Sequence, residues 1–512
     1  MNNYAQNMHL TEAASVSRIC HLCTYFSQYL WIYFVVSEKS CTFAVRNRRH
    51  QIMAKKMKDL KRDSIDFGKT KIEPLFHSIF FPTLLSMVFA SLFTVADGIF
   101  VGQGVGSDAL AAINIVAPLF LMTTGISLMF GVGVSVVASI HLSRGNNKAA
   151  DINITQALEV SSLLMAVVAV AVYYWRIPFL QLLGCSDALM PLALEYLIYI
   201  LPGCVFIVSQ MIGTFVIRLD GSPKYAASLE IIPGILNIIL DWLFVFPLQM
   251  GIAGSALAST LCCAVASAMV VWYMSFRTQS IHIRRLKLSL TSLYLTTRNI
   301  CYMARSGFSS MLGELAMSMV LLAGNYVFIR ELGEDGVAAF SVACYLYPIV
   351  FMVNNAVAQS AQPIISFNHG AGNDKRVSEA FRLSLRTATI CGVLATLVLT
   401  LGAKPLIGLF LHAGTRPYEI ATAGLPLFAA SAIFFALNVS IIGYYQSIEQ
   451  NTRATVYMLL RGLVFLIPAF ILMPMLILPQ GMWLAVPASE CLTLAVILLT
   501  RAKHTPTPAQ RA

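Results

Sequence analysis

Charge is scarce in this chain: Asp, Glu, Lys and Arg make up 12% of its 512 residues, against about 25% in an ordinary soluble domain. Hydrophobic residues reach 57%, where roughly 45 to 50% is usual, so a soluble globular fold is excluded. Catalytic patterns are missing too. The nine His are dispersed without an HExxH pair, and no activated Ser or Cys stands beside a base, which argues against a membrane-embedded hydrolase or transferase. "GQGVG" (102 to 106) lacks the preceding strand and the following Lys of a phosphate-cradling loop. Of the eleven cysteines only Cys20 and Cys23 form a CxxC, and without a second ligand pair they read as free thiols. No basic platform interleaved with aromatics accompanies the net charge of +11, so no nucleic acid is expected as a partner. The apolar stretch at 22 to 39 lacks the basic lead-in and the small-residue cleavage site of a signal peptide.

Long hydrophobic runs are what the chain has instead. Windows of about 18 or more apolar residues mark twelve spans, at 75–101, 109–141, 156–175, 190–217, 225–246, 252–276, 299–329, 337–367, 383–402, 421–445, 454–476 and 482–500. Loops after even-numbered spans carry thirteen Lys and Arg, from Arg144 and Lys148 through Arg453, whereas loops after odd-numbered spans carry Arg176, Arg330, Lys404 and Arg416 alone. By the positive-inside rule both termini face the cytoplasm, and the positive charge serves topology and attraction to the lipid bilayer. Residues 1–70 are expected to be a poorly ordered cytoplasmic leader, of which 1–52 reads as a start-site extension with Met53 or Met57 the working start.

The spans repeat. "GVGSDALAAINIVAP" (104 to 118) returns as "ELGEDGVAAFSVACY" (331 to 345), with Gly106, Asp108 and Ala111 matching Gly333, Asp335 and Ala338 at an offset of 227. The same offset relates Gly145, Asn146 and Lys148 to Gly372, Asn373 and Lys375, and "QMGIAGSALAST" (249 to 260) resembles "PQGMWLAVPASE" (479 to 490). Six spans per copy keep both copies in one orientation, which predicts an all-α polytopic membrane protein: 12 transmembrane helices in two six-helix bundles, related by a parallel internal repeat about a central cavity. The lobes are expected at 71–276 and 299–500, joined by a cytoplasmic linker at 277–298, with a cytoplasmic tail at 501–512.

Acids inside such spans are costly. Asp97, in "SLFTVADGIFVG", costs on the order of 2 to 3.5 kcal/mol on insertion scales, so a compensating role is expected. In "NIILDW", Asn237 and Asp241 stand four residues apart, on one helix face. Two carboxylates in one poorly solvated pocket cannot both stay charged without a counter-cation. Glu314, in "SSMLGELAMS", and Glu490 fall in spans of the second half, and with Asn325 they are candidates to contact a substrate or a second cation; Glu314 is expected to attract a cationic substrate, bind a second cation or pair with a neighbour. Asn325 stands close to where Asp97 would map in the repeat, so the acids are distributed asymmetrically. "RLDGSPK" (218 to 224) reads as a turn with a local Arg218–Asp220 ion pair.

"QPIISFNHGAGNDKR" (362 to 376), "NIILDWLFVFPLQMGIAGSALAST" (237 to 260), "IRLDGSPKYA" (217 to 226) and "GMWLAVPASECLT" (481 to 493) resemble the signature stretches of the MATE (multidrug and toxic compound extrusion) transporters, nearest the bacterial DinF/MepA-like branch. The likeness covers roughly residues 70 to 500. It implies a secondary transporter of the bacterial plasma membrane, a monomer that exports small organic cations or amphipathic compounds against inward flow of Na+ or H+, with no other cofactor. It also implies that Asp97 of the first helix faces Asn237 and Asp241 of the fifth, joined by a hydroxyl of the sixth, Thr260 or Ser259. Pro82, fifteen residues before Asp97, either lets cation occupancy bend the first helix or fixes a kink. A flippase for a lipid-linked metabolite is the transport alternative.

Overall fold

The computed structural model describes residues 65–502 apart from 279, 287–288 and 478–479. The expected leader up to residue 64, including its CxxC, and all but the first two residues of the tail lie outside the described residues. In a bilayer every backbone N–H and C=O must be satisfied inside the protein, and continuous apolar runs of this length do so as helices. The first lobe comprises α1 (Ile72–Gly104), α2 (Ser107–Ser143), α3 (Asn147–Tyr174), α4 (Met190–Leu219), α5 (Pro223–Val245) and α6 (Gly251–Phe276). In the second lobe, Leu290–Gly370 is one helical segment of 81 residues, about 120 Å if straight and far longer than the ~30 Å hydrocarbon core. It is broken at Gly333, whose φ of 66° and ψ of −153° suit a residue without Cβ. The chain folds back there: the rings of Phe328 and Phe340 stack with centroids 4.5 Å apart. The two arms, 290–332 and 334–370, are α7 and α8. Then follow α9 (Asp374–Leu401), α10 (Arg416–Ser447), α11 (Asn451–Leu476) and α12 (Gly481–Ala502). Among the described residues eleven helices are long and apolar enough to cross a membrane, and the one that folds back supplies two spans. The architecture is therefore the expected one, twelve helices in two bundles.

The repeat is visible in backbone conformation. Gly145 and Gly372 both adopt positive φ, 73° and 71°. Each is followed by an Asn that caps the next helix: Asn146 Oδ1 accepts from Ala149 N, and Asn373 Oδ1 from Arg376 N, both at 3.3 Å. Such a cap is worth about 1 kcal/mol. The connection between the lobes is shorter than expected. Helix α7 starts at Leu290, nine residues before 299, because Ser289 Oγ accepts from Ser292 N at 3.2 Å and caps it. What remains of the linker is pinned to the first lobe, Asp151 accepting from His282 N and Arg284 Nε, each at 2.9 Å.

The main core runs through the first lobe and on into the second, from Phe76 and Ile154 to Ile364 and Tyr445, while a second core lies wholly within the second lobe. Phe328, Phe340, Phe428 and Trp483 interlock in the second. Across the lobe boundary, α2 packs on α7 backbone to backbone: a Cβ on Gly307 would fall on the Met129 carbonyl, and one on Gly133 on the Met303 carbonyl. Small residues are the usual means of close helix approach in lipid, where apolar burial gives no driving force. Polar ties reinforce this contact at the end of the bundle where the basic loops lie. Arg144 Nε donates to Gly370 O at 3.3 Å, Asn299 Nδ2 to Gln156 Oε1 at 3.0 Å, and Arg376 to Phe67 O and Thr70 O at 2.9 and 2.7 Å.

Candidate cation site and cavity

Close packing of α5 on α1 sets the geometry: a Cβ on Gly234 would overlap the Phe93 ring. One turn beyond Phe93 stands Asp97, and two turns beyond Gly234 stands Asp241. Asp241 is 0% exposed, and neither of its carboxylate oxygens finds a hydrogen-bond partner among the described residues. The charged group it meets is Asp97. A buried carboxylate left without donors is strongly unfavourable unless a cation or a proton neutralises it.

Around the pair stand the other side chains expected from the sequence, with one substitution of role. Asn237 Nδ2 donates to Ser259 Oγ at 3.3 Å, which leaves the amide oxygen free to act as a ligand. Thr260 is turned to α4, its hydroxyl donating to Tyr199 O at 2.7 Å. The α6 hydroxyl that reaches Asp97 is Ser255, whose Oγ donates to Oδ1 at 2.9 Å. Sequence reasoning missed Ser255, although it lies one turn before Ser259 on the same face. It also missed Tyr196 of α4, 3% exposed and within electrostatic reach of both Asp97 and Asp241. Pro82 lies inside α1, which stays helical through it.

The second-lobe candidates separate. Glu314 lines a cavity together with Gln359, Gln362, Gln446 and Arg461, and Leu128 and Val132 of α2 form part of its wall. The Glu314 carboxyl has no hydrogen-bond or salt-bridge partner among the described residues, while the backbone oxygen of the same residue accepts from Ser318 Oγ at 3.1 Å. Glu490 does not stand free to take a substrate or cation. Arg461 Nε donates to its Oε1 at 2.5 Å and Asn438 Nδ2 to its Oε2 at 2.7 Å. The pair is neutral within itself. Arg461, in a π-helical turn at Leu460–Val464, is 4% exposed, and its guanidinium lies 4.3 Å from the Phe435 ring centroid. Asn325 is exposed on α7.

Nor do Arg218 and Asp220 pair. Asp220 accepts from Tyr273 OH at 2.8 Å and Ser280 N at 2.9 Å, while Arg218 turns inward to donate to Gln359 Oε1 at 3.0 Å. Only the tertiary packing could separate two neighbours this close in sequence.

The MatE family model matches residues 82–243 and 309–471. Similar proteins include an "FAD transporter" of Shewanella oneidensis, 25% identical over 334 residues that make up 64% of this chain and 72% of that protein. The "Multidrug export protein MepA" of Staphylococcus saprophyticus is 21% identical over 417 residues, 81% of this chain and 91% of that one. A solved structure described as the outward-facing conformation of a multidrug resistance MATE family transporter of the MOP superfamily superposes with a TM-score of 0.78 at 21% identity. The superposition covers 85% of this chain and 97% of that one.

Proposed function

The chain belongs to the MatE family and is a membrane transporter, and we propose that it exports organic, predominantly cationic compounds by antiport against Na+ or H+. The observation that carries the reading is the pocket of Asp241. Its carboxylate is completely buried without a donor and opposes Asp97. An inward-flowing cation neutralises this pair and leaves when the pocket meets the low-cation side, so the stability of the surrounding helices depends on occupancy. That dependence is what an alternating-access cycle needs.

Each residue has a distinct part. Asp97 and Asp241 hold the cation, with Asn237, Ser259 and Ser255 supplying neutral oxygens if the cation is sodium; a proton requires the carboxylates alone. Helix α1 carries Asp97, contains Pro82, and begins beside the Phe67 and Thr70 carbonyls that Arg376 of the other lobe holds. Bending at Pro82 would transmit occupancy to that closure. Glu314, which lines the cavity, attracts the substrate's positive charge. The basic end is the cytoplasmic one, which makes the arrangement with its lobes tied there an outward-facing state of a single-chain transporter.

A second reading, export of an anionic or flavin-like metabolite, is favoured by the relative named for FAD and by Arg461 in the cavity wall. Its weakness is that Glu490 already neutralises Arg461. The deciding experiment is efflux of ethidium from proteoliposomes under an imposed sodium or proton gradient, in wild type, Asp97→Asn and Asp241→Asn. Gradient-driven efflux that both substitutions abolish supports the proposal and identifies the ion. Efflux surviving both would sink the assignment of the coupling site, and FAD but not ethidium efflux would favour the second reading.

A further inference from the structure

Two amides of α8 have a double attachment. Gln359 and Gln362 both line the cavity, and both reach across to the first lobe. Gln362 Nε2 donates to Val132 O at 3.2 Å, and Gln359 Oε1 accepts from Arg218 NH1 at 3.0 Å. Their situations differ. Gln362 is 3% exposed and bonded to fixed backbone, whereas Gln359 is only partly buried and is held by the end of a long side chain.

Arg218 is itself buried, 3% exposed, with its guanidinium 5.2 Å from the Phe215 ring centroid. Glu230 of α5, in its own lobe, lies within electrostatic reach of it without forming a salt bridge. The pull of Glu230 on the guanidinium does not depend on Gln359. The bond to the other lobe is the exchangeable one.

We propose that Gln359 is shared between substrate and Arg218, so that closing the basic end of the cleft withdraws a substrate contact and lowers affinity as the cavity turns outward. With the lobes apart at that end, the Gln359 oxygen is free to accept from an N–H of a bound compound. As they close, Arg218 takes the same oxygen. By linkage, a ligand that holds Gln359 favours the state open at the basic end by the same factor by which closure weakens its binding. An exporter gains direction from this difference, loading tightly inside and unloading outside. The ligand arm rests on the export reading above; the closure itself does not.

Hydrogen exchange of the full-length protein in nanodiscs tests both, read at the basic ends of α2 and α8, at about residues 137–147 and 364–374. Without ligand, Gln359→Glu should tighten the grip on Arg218 and slow exchange there, and Gln359→Leu should speed it. A residue with a merely structural role would shift both variants the same way, so unchanged or parallel shifts overturn the latch. Ethidium, whose aromatic amines carry N–H donors, should speed exchange in wild type but add nothing in Gln359→Leu. In the charge-conserving double variant Arg218→Met with Glu230→Gln, ethidium should bind about tenfold more tightly, the factor expected for loss of a competing charge-assisted hydrogen bond. Unaltered affinity with normal binding in wild type overturns the sharing of Gln359. Failure of wild type to bind ethidium at all counts against the drug reading, while the ligand-free comparison still decides the latch.

Discussion

Arg461 and Glu490, on different helices and both under 5% exposed, form an ion pair 2.5 Å long. A buried pair of this kind adds little compared with an apolar replacement, but removing one partner strands the other. Arg461→Ala should destabilise the protein by about 3 to 5 kcal/mol, and the double change Arg461→Met with Glu490→Met should recover most of that loss. Unfolding of the detergent-solubilised protein measures both. A double variant as unstable as the single one would mean that the cavity wall needs the charges themselves.

Asn237→Ala separates the two coupling ions. Sodium loses a ligand oxygen, so the concentration giving half-maximal efflux should rise about tenfold, the equivalent of roughly 1.4 kcal/mol. A proton binds only to Asp97 and Asp241, so the proton gradient needed should scarcely change. Efflux titrated against each gradient in proteoliposomes reads the difference.

Gly307→Val probes the join between the lobes. Its side chain would run into the Met129 carbonyl, and overpacking of this kind costs about 1 to 3 kcal/mol. Because the clash forces apart α2 and α7 where they pack backbone to backbone, the variant should also raise hydrogen exchange in the adjoining turns of both helices. A loss of stability with unchanged exchange would place that cost elsewhere.

Much of this molecule is legible without coordinates. Windows of 18 or more apolar residues locate the helices, since continuous apolar runs of that length satisfy their backbone in a bilayer by intrahelical bonding. The offset between Gly145 and Gly372 predicts two equivalent lobes, and both glycines turn out to have nearly the same positive φ. The i, i+4 spacing of Asn237 and Asp241 predicts their shared face. These are local or periodic properties, written along a single helix or repeated at a fixed interval.

Other features depend on how one helix is rotated against the next. Ser255, Ser259 and Thr260 lie on one helix, and their spacing does not say that Ser255 meets Asp97, Ser259 meets Asn237, and Thr260 is spent on the Tyr199 carbonyl. Glu490 looks like a free intramembrane acid until α11 brings Arg461 against it. Arg218 looks like the partner of Asp220 until the second lobe offers Gln359. The sequence by itself determined the helices, the repeat and the presence of buried acids, because hydrophobicity and helical period are properties of the chain. Which acid stays unpaired was decided only by the tertiary structure, because a buried charge is neutralised by whatever packing brings within a few ångströms of it, and that distance is not encoded locally.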